Sequence, residues 1–314
     1  MGTAALGCPA EHRSAVSTSC RLRRFVRDAI EKDNIWTEVE QPVKTYDANT
    51  AEFSGSRRPR TELKLICALG ISKDMNPGGV FLTALWRDLA MLNYAVDPAL
   101  LQKFVPEGTE LDRWNGNAFV SLVGFCFLNT KVFGISFPFH SNFEEVNLRL
   151  YVRRREGDII KRGVVFVREI VPRWTIATVA RALYNENYLA LPMSHQIHSS
   201  YDGELAVVYS WKSRTRWNRI SLTAKGDPVL PEIGSEEQFI TEHYWGYAAQ
   251  RDGGCMEYRV GHPPWRVWAA PDARFEGDMT DLYGKDLAAV LEKQPTSAFL
   301  AEGSDVTVYQ GRRL

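Results

Sequence analysis

The chain has 314 residues, with 38 Lys and Arg against 38 Asp and Glu, so its formal net charge is zero. Sequence-independent nucleic-acid binding rests on a basic surface that releases phosphate counterions, and this balance argues against it. Hydrophobic residues make up 45% and charged residues 24%, a globular composition that excludes disorder over the whole length. The length suits one large domain or two modest ones.

The five cysteines, Cys8, Cys20, Cys67, Cys126 and Cys255, are widely spaced. No CxxC pair occurs, so neither a zinc knuckle nor a dithiol redox pair is indicated, and a reduced compartment is expected. The longest uncharged apolar run, Ala118 to Leu128, is too short for a bilayer, which needs about 20 residues. Arg13, Arg21, Arg23, Arg24 and Arg27 stand among serines as in a transit peptide, but Glu11 and Asp28 count against one. The expected location is the cytoplasm, with no membrane and no nucleic acid as partner.

In chain order, residues 1–74 are rich in Gly, Ser, Thr, Arg and Asp with scattered apolar positions. They read as a low-order extension, with SGSRRPR at 54–60 as a linker and Met75 as the natural start. Residues 75–314 then read as a single domain. Phe81 to Val96 is expected as a long strand. Asp97-Pro98 should open a short helix ending before Pro106, with Asp97 capping the free N–H groups. Ala118 to Leu128 reads as a strand buried on both faces. Glu145 to Arg153 alternates: Val146, Leu148, Leu150 and Val152 share one face, and Glu145, Asn147, Arg149, Tyr151 and Arg153 the other. Glu156-Gly157-Asp158 is a turn, and Gly163 to Val171 the next strand. A helix is expected over Ile176 to Leu183, where Ile176, Val179, Ala180 and Leu183 recur at helical spacing. Hairpins are expected at Asp202-Gly203 and Asp252-Gly253-Gly254. Leu282 to Lys293 is a late helix capped by Thr280 or Asp281, and Val306 to Tyr309 a last strand. Strands outnumber helices, so the expected class is α+β with a mainly antiparallel sheet. Closure into a barrel would remove its exposed edges.

The phosphate loop, the GxGxxG turn, HExxH and the GxSxG elbow are all absent. The most informative feature is the stripe Glu145–Asn147–Arg149–Tyr151. On a half-exposed sheet it is a solvated outer face. Inside a barrel it becomes a site for a small anionic ligand, with Arg149 holding a carboxylate by two parallel hydrogen bonds. Both readings stand at this stage. Arg168-Glu169 lies within the apolar run VVFVREIV, where charges are costly to bury unless paired. The favoured reading is an internal ion pair tying the strand to the helix after Pro172. The functional reading makes Glu169 a general acid or base with a raised pKa.

Arg181, Tyr184, Asn185, Asn187 and Tyr188 read as helix-end capping groups. Arg153, Arg154 and Arg155 read as a solvated strand end. His262-Pro263-Pro264-Trp265 reads as a rigid bend between strands, or as a pocket mouth lined by Trp265. His140, His195, His198 and His243 show no recognised ligand spacing, so no metal and no cofactor are expected.

The phrases WRDLAMLNYAVDPALL, NFEEVNLRLYVRR, GVVFVREIVPR, LYNENYLALPM, FITEHYWGY and HPPWRVW follow one another from Trp86 to Trp268. Together they resemble the YqjF-like proteins, a bacterial family of unknown function similar to the acetoacetate decarboxylase-like superfamily. The resemblance implies an α+β fold around a cone-shaped, mostly antiparallel β-barrel with a central cavity. Acetoacetate decarboxylases form a Schiff base on a lysine whose pKa a second lysine lowers. This chain has no Lys-Lys pair, and Arg168 cannot replace the nucleophile. Lys161 and Lys212 carry no mark of burial. The resemblance therefore does not imply that decarboxylation.

The functional expectations that remain all centre on a small acidic or apolar metabolite. One is an enzyme acting on a small oxo- or carboxylic acid. Glu145 and Glu169 would be its acid/base pair, Arg149 and Arg168 its anion anchors, and Asn147, Tyr151 and Trp265 its lining. The others are a non-catalytic binding module and a scaffold or interaction protein, which includes a homo-oligomer.

Overall fold

The structure is a computed structural model and describes residues 78–136, 140–173, 186–200, 203–214 and 216–314. The extension at 1–74, the start at Met75 and the helix over 176–183 lie outside those residues, as does Asp202.

The strands are β1 (Val80–Val96), β2 (Glu110–Leu111), β3 (Ala118–Val132), β4 (Phe143–Glu156), β5 (Ile159–Val171), β6 (Tyr188–Ala190), β7 (Met193–Ser199), β8 (Glu204–Ser213), β9 (Arg216–Lys225), β10 (Trp245–Ala249), β11 (Cys255–Gly261), β12 (Val267–Ala269), β13 (Arg274–Glu276), β14 (Ser297–Tyr309) and β15 (Arg312–Arg313). The described helices are α1 (Pro98–Leu101), α2 (Glu236–Thr241) and α3 (Thr280–Leu291). The protein is thus mostly sheet with few helices.

An 11-stranded sheet runs β12-β14-β1-β3-β4-β5-β10-β11-β15, with β2 and β6 as side partners. Its path returns on itself, because β11 also pairs β14 at Val260↔Val308 and Gly261↔Thr307. Most pairings are antiparallel, whereas β5 runs parallel to β6 and β10. A 4-stranded sheet, β13-β9-β8-β7, is the second layer.

Alternation decides what each strand face meets. On β1, β3 and β4, Leu92, Leu122, Val146, Leu148 and Leu150 pack with Val207, Tyr209, Trp211 and Ile220 of the second sheet and with Leu282 and Leu287 of α3. The opposite face builds a second core with Met91, Phe119, Val123, Tyr151, Phe239, Tyr258, Trp265 and Phe299. This explains why β3 and β4 are buried on both faces. Of the two readings of the β4 stripe, the solvated outer face does not hold: Glu145, Asn147, Arg149 and Tyr151 are 2%, 2%, 8% and 1% exposed.

Local sequence sets the ends. The Asp97 carboxylate accepts from the Ala99 N–H at 2.9 Å and Pro98 opens α1. At the β4–β5 hairpin Gly157 adopts a φ of 60°, which glycine adopts without strain. The α3 cap differs from expectation. Met279 is the N-cap and caps with no side chain, and the Asp278 carboxylate accepts from the Thr280 N–H at 2.9 Å. The arginine run is not simply solvated either. Arg153 pairs with Glu110, and Arg154 reaches the fully buried Glu257 at 3.2 Å.

Candidate functional site

The inner face of β4 presents Glu145, Asn147, Arg149 and Tyr151 in sequence, and β5 brings Glu169 into register opposite Asn147. β6, parallel to β5, sets Tyr188 beside Glu169. Asn147 donates to Glu145 Oε1 at 2.9 Å, and the Tyr188 hydroxyl donates to Oε2 at 3.1 Å. Tyr188 and Glu169 also act on one another electrostatically, each raising or lowering the other's ionisation. Glu186, just before β6, accepts from the Tyr258 hydroxyl at 2.8 Å. Glu169 Oε2 and Asn147 Oδ1 are buried with no partner among the described residues.

Three buried carboxyls therefore converge without a lysine or arginine ion pair among the described residues. Burial pushes Glu145 up to about 7, against the hydrogen bonds of Asn147 and Tyr188 and the charge of Arg149. Burial, with Glu145 adding to it, holds Glu186 at about 8 even though Tyr258 donates to it. Burial first, then the charges of Glu186 and Glu145, lifts Glu169 well above the carboxylate range.

Arg149 faces this group. Its Nε donates to the Tyr151 hydroxyl oxygen and its Nη2 to the Ile240 carbonyl, both at 3.3 Å. It forms no ion pair with any described residue. Beyond Tyr151 stands His243, whose ring centre lies 4.8 Å from that of Tyr151 and 5.0 Å from that of Phe239. Asp112 holds its Nε2 at 3.1 Å and accepts from Arg162 at 2.7 Å. Burial, chiefly, lowers His243 to about 4, so the imidazole is neutral. Burial also acts on Asp112, but the hydrogen bonds from His243 and Arg162 outweigh it and keep that carboxyl below its usual range. Trp265 is 3% exposed, stacks on His262 at 4.1 Å between ring centres and donates to Ser304.

The structure thus gathers Glu145, Asn147, Arg149, Tyr151 and Glu169 on one inner face, with Trp265 in the same apolar core. Arg168 is not among them. Adjacent residues of a strand point to opposite faces. Arg168 pairs with Leu148, and its charge acts on Tyr283 of α3. The internal ion pair expected to tie this strand to the helix after Pro172 falls on a helix outside the described residues. Sequence reasoning missed Glu186, Tyr188, Tyr258 and His243. Three of them lie in LYNENYLALPM and FITEHYWGY, where a Glu, a Tyr and a His beside apolar strand residues were the available signal.

The lysines of residues 78–314 are Lys103, Lys131, Lys161, Lys212, Lys225, Lys285 and Lys293, and none is buried. Lys161 is taken by Glu257 at 2.9 Å and by Glu156. Among the described residues no group of His, Cys, Asp or Glu is arranged to hold a metal ion. No described helix is long and apolar enough to cross a membrane.

Fold and site together define a protein with an acetoacetate decarboxylase-like fold and a buried acidic interior that lacks the lysine. The acetoacetate decarboxylase of Legionella pneumophila aligns at TM-score 0.54 and 14% identity, covering 79% of this chain and 95% of that one. The enduracididine biosynthesis enzyme MppR, complexed with pyruvate, aligns at TM-score 0.54 and 13% identity over 78% of this chain and 93% of that one. The chain belongs to the DUF2071 family, an uncharacterized conserved protein family, which matches residues 83–305. The uncharacterized protein YqjF of Bacillus subtilis is 24% identical over 212 residues, 66% of this chain and 84% of that one.

Proposed function

We propose that residues 75–314 form a small-molecule-binding domain, a cone-shaped barrel whose interior takes a small oxo- or carboxylic acid with one negative charge. The observation that carries this reading is Arg149, a buried guanidinium with no ion pair among the described residues, set beside carboxyls whose pKa burial raises. A buried cation calls for a counter-charge, and a ligand carboxylate supplies it.

On this reading the domain moves a proton. Arg149 holds the ligand carboxylate. Protonated Glu169 delivers a proton to the oxo oxygen, and Glu145, titrating near neutrality, accepts one from the adjacent carbon as a base. Asn147 and Tyr188 orient Glu145, while Trp265 and Tyr151 close the apolar wall. The lysines do not supply a Schiff base, so no carbon–carbon bond is broken through one.

Pyruvate, the ligand of the MppR structure, is the probe. In deuterated buffer, proton NMR follows exchange of its methyl protons. Wild type is expected to bind and exchange, Glu169→Gln to bind without exchange, and Arg149→Ala to do neither, with wild-type folding for both. Saturable binding without exchange in wild type would make the domain a carrier. Binding that survives Arg149→Ala would sink the anion site.

A further inference from the structure

A row of polar side chains crosses the otherwise apolar inner core. Ser297 of β14 is in register with Asn93 of β1, Asn93 with Ser121 of β3, and Ser121 with Arg149 of β4. Asn93 and Ser121 are wholly buried. Beyond Ser297 stands Glu236, in the first turn of α2, whose carboxylate accepts from the Ser297 hydroxyl.

The donors along this row can be assigned. The Arg149 Nε–H can only donate, so the Tyr151 oxygen accepts. Ser121 lies 2.6 Å from the Asn93 carbonyl oxygen, which can only accept, so the Ser121 proton goes to Asn93. The 2.6 Å contact between Tyr151 and Ser121 must then carry the Tyr151 proton. The Asn93 amide donates to Ser297 at 3.0 Å, which leaves the Ser297 proton for Glu236. Every bond points the same way, from the guanidinium to the carboxylate. Bonds aligned in this manner strengthen one another. An ionised Glu236 fixes the direction: with no acceptor there, the Asn93 amide can turn over and the Tyr151 proton is released from Ser121. The helix holding Glu236 also supplies the Ile240 carbonyl to Arg149 Nη2, so α2 grips the guanidinium directly and through the row. Apolar residues of the same shape would fill these positions at little cost in stability, so packing alone does not account for them.

We propose that Glu236 is a positioning residue. Through Ser297, Asn93, Ser121 and Tyr151 it holds the Arg149 guanidinium at Nε and Nη2 and leaves Nη1 for the ligand. The ligand role of Nη1 rests on the anion-site reading above, whereas the relay itself does not.

The test uses the full chain labelled with nitrogen-15. The Arg149 Nε–H resonance is the one lost in Arg149→Lys, and its exchange with solvent is measured. Slow exchange is expected in wild type and in the control Glu237→Ala. It should accelerate about tenfold in Glu236→Ala and in Ser297→Ala, the loss of one net hydrogen bond. Glu236→Gln, whose amide oxygen still accepts from Ser297, should recover most of the protection. Fast exchange in wild type overturns the proposal. So does unchanged exchange in Ser297→Ala, which also serves if Glu236→Ala does not fold. Equal acceleration in Glu237→Ala overturns it by showing only loosening of α2. Pyruvate titration separates the two readings: protection lost with no pyruvate bound by wild type leaves the relay standing and removes the anion site.

Discussion

Glu257 and Tyr258 are neighbours on β11 and face opposite sides of the sheet, and the acids they serve behave oppositely. The Glu257 side chain has no exposure, yet it receives Lys161 and Arg312 at 2.9 Å, Tyr247 at 3.1 Å and Arg154 at 3.2 Å. Burial alone would raise its pKa, but the bonds and charges of Lys161 and Arg312 outweigh burial and leave it below the usual range. On the other side Tyr258 donates to Glu186, which no cation among the described residues meets and which stays at about 8. Burial is common to both acids, and compensation differs. Glu257 joins β4, β5 and the C-terminal β15 as a charged clasp. Glu145, Glu169 and Glu186 have no ion pair among the described residues, which costs stability and marks a candidate site.

The largest effect that could break this comparison is Glu257→Ala. It leaves three cations to Glu156 alone and is expected to cost about 3 kcal/mol in denaturant unfolding. A change within 0.5 kcal/mol, the range of an ordinary surface substitution, would show that the clasp contributes nothing.

Glu186→Gln should move the other way. Unfolded, Glu186 ionises near 4.5, and folded near 8. Between those values the native state binds the extra proton, so its contribution is complete below about 4.5 and is lost as pH rises through about 8. The wild type should therefore lose stability over this window, about 2 kcal/mol allowing for the coupled acids, and Glu186→Gln should flatten the loss. Unfolding curves from pH 5 to 8 decide it, and identical pH profiles for the two proteins would place a counter-charge beside Glu186.

Gly246→Ala sharpens the same contrast through packing. A Cβ at Gly246 would overlap the Tyr258 ring, so the ring must shift away from Glu186. Overpacking of this kind costs about 1–2 kcal/mol. The tyrosine fluorescence and the pH profile of Gly246→Ala should both change, whereas a silent substitution would mean that Tyr258 is not held in place.

Much of this was legible along the chain, and what was not is long-range. Asp97-Pro98 announced its helix because a cap acts within three residues. The alternation of β4 named Glu145, Asn147, Arg149 and Tyr151, because period two is a local property. Whether that face met solvent or a second core depended on α2, which no periodicity announced and which carries Glu236 and Ile240. The row Ser297–Asn93–Ser121–Arg149 joins residues up to 204 positions apart, and only strand register reveals it. Arg168 was read as an anion anchor in the same site as Glu169, while a strand sends neighbours to opposite faces. Asn185, Asn187 and Tyr188 were read as helix caps and Glu186 between them went unread, since NENY looks the same before a helix end or a strand.

His243 falls between the two kinds of buried group, and its titration is the smallest effect expected. Asp112 compensates one nitrogen, while Nδ1 is buried with no partner among the described residues. Burial holds the folded pKa near 4 against the ordinary 6.5 of an imidazole. Between those values the unfolded chain binds the extra proton, so stability is complete above about 6.5 and falls as pH drops towards 4. Asp112, whose pKa is lowered, adds its own loss only below its ordinary value of 3.8. His243→Gln keeps a donor for Asp112 and removes the titration. Its stability should vary less than wild type between pH 4.5 and 6.5, by about 1 kcal/mol. If His243→Gln and wild type share the same acid slope, the imidazole is already charged when folded. It would then be compensated by Asp112 as Glu257 is by Lys161, and it would belong with the clasp rather than with the site.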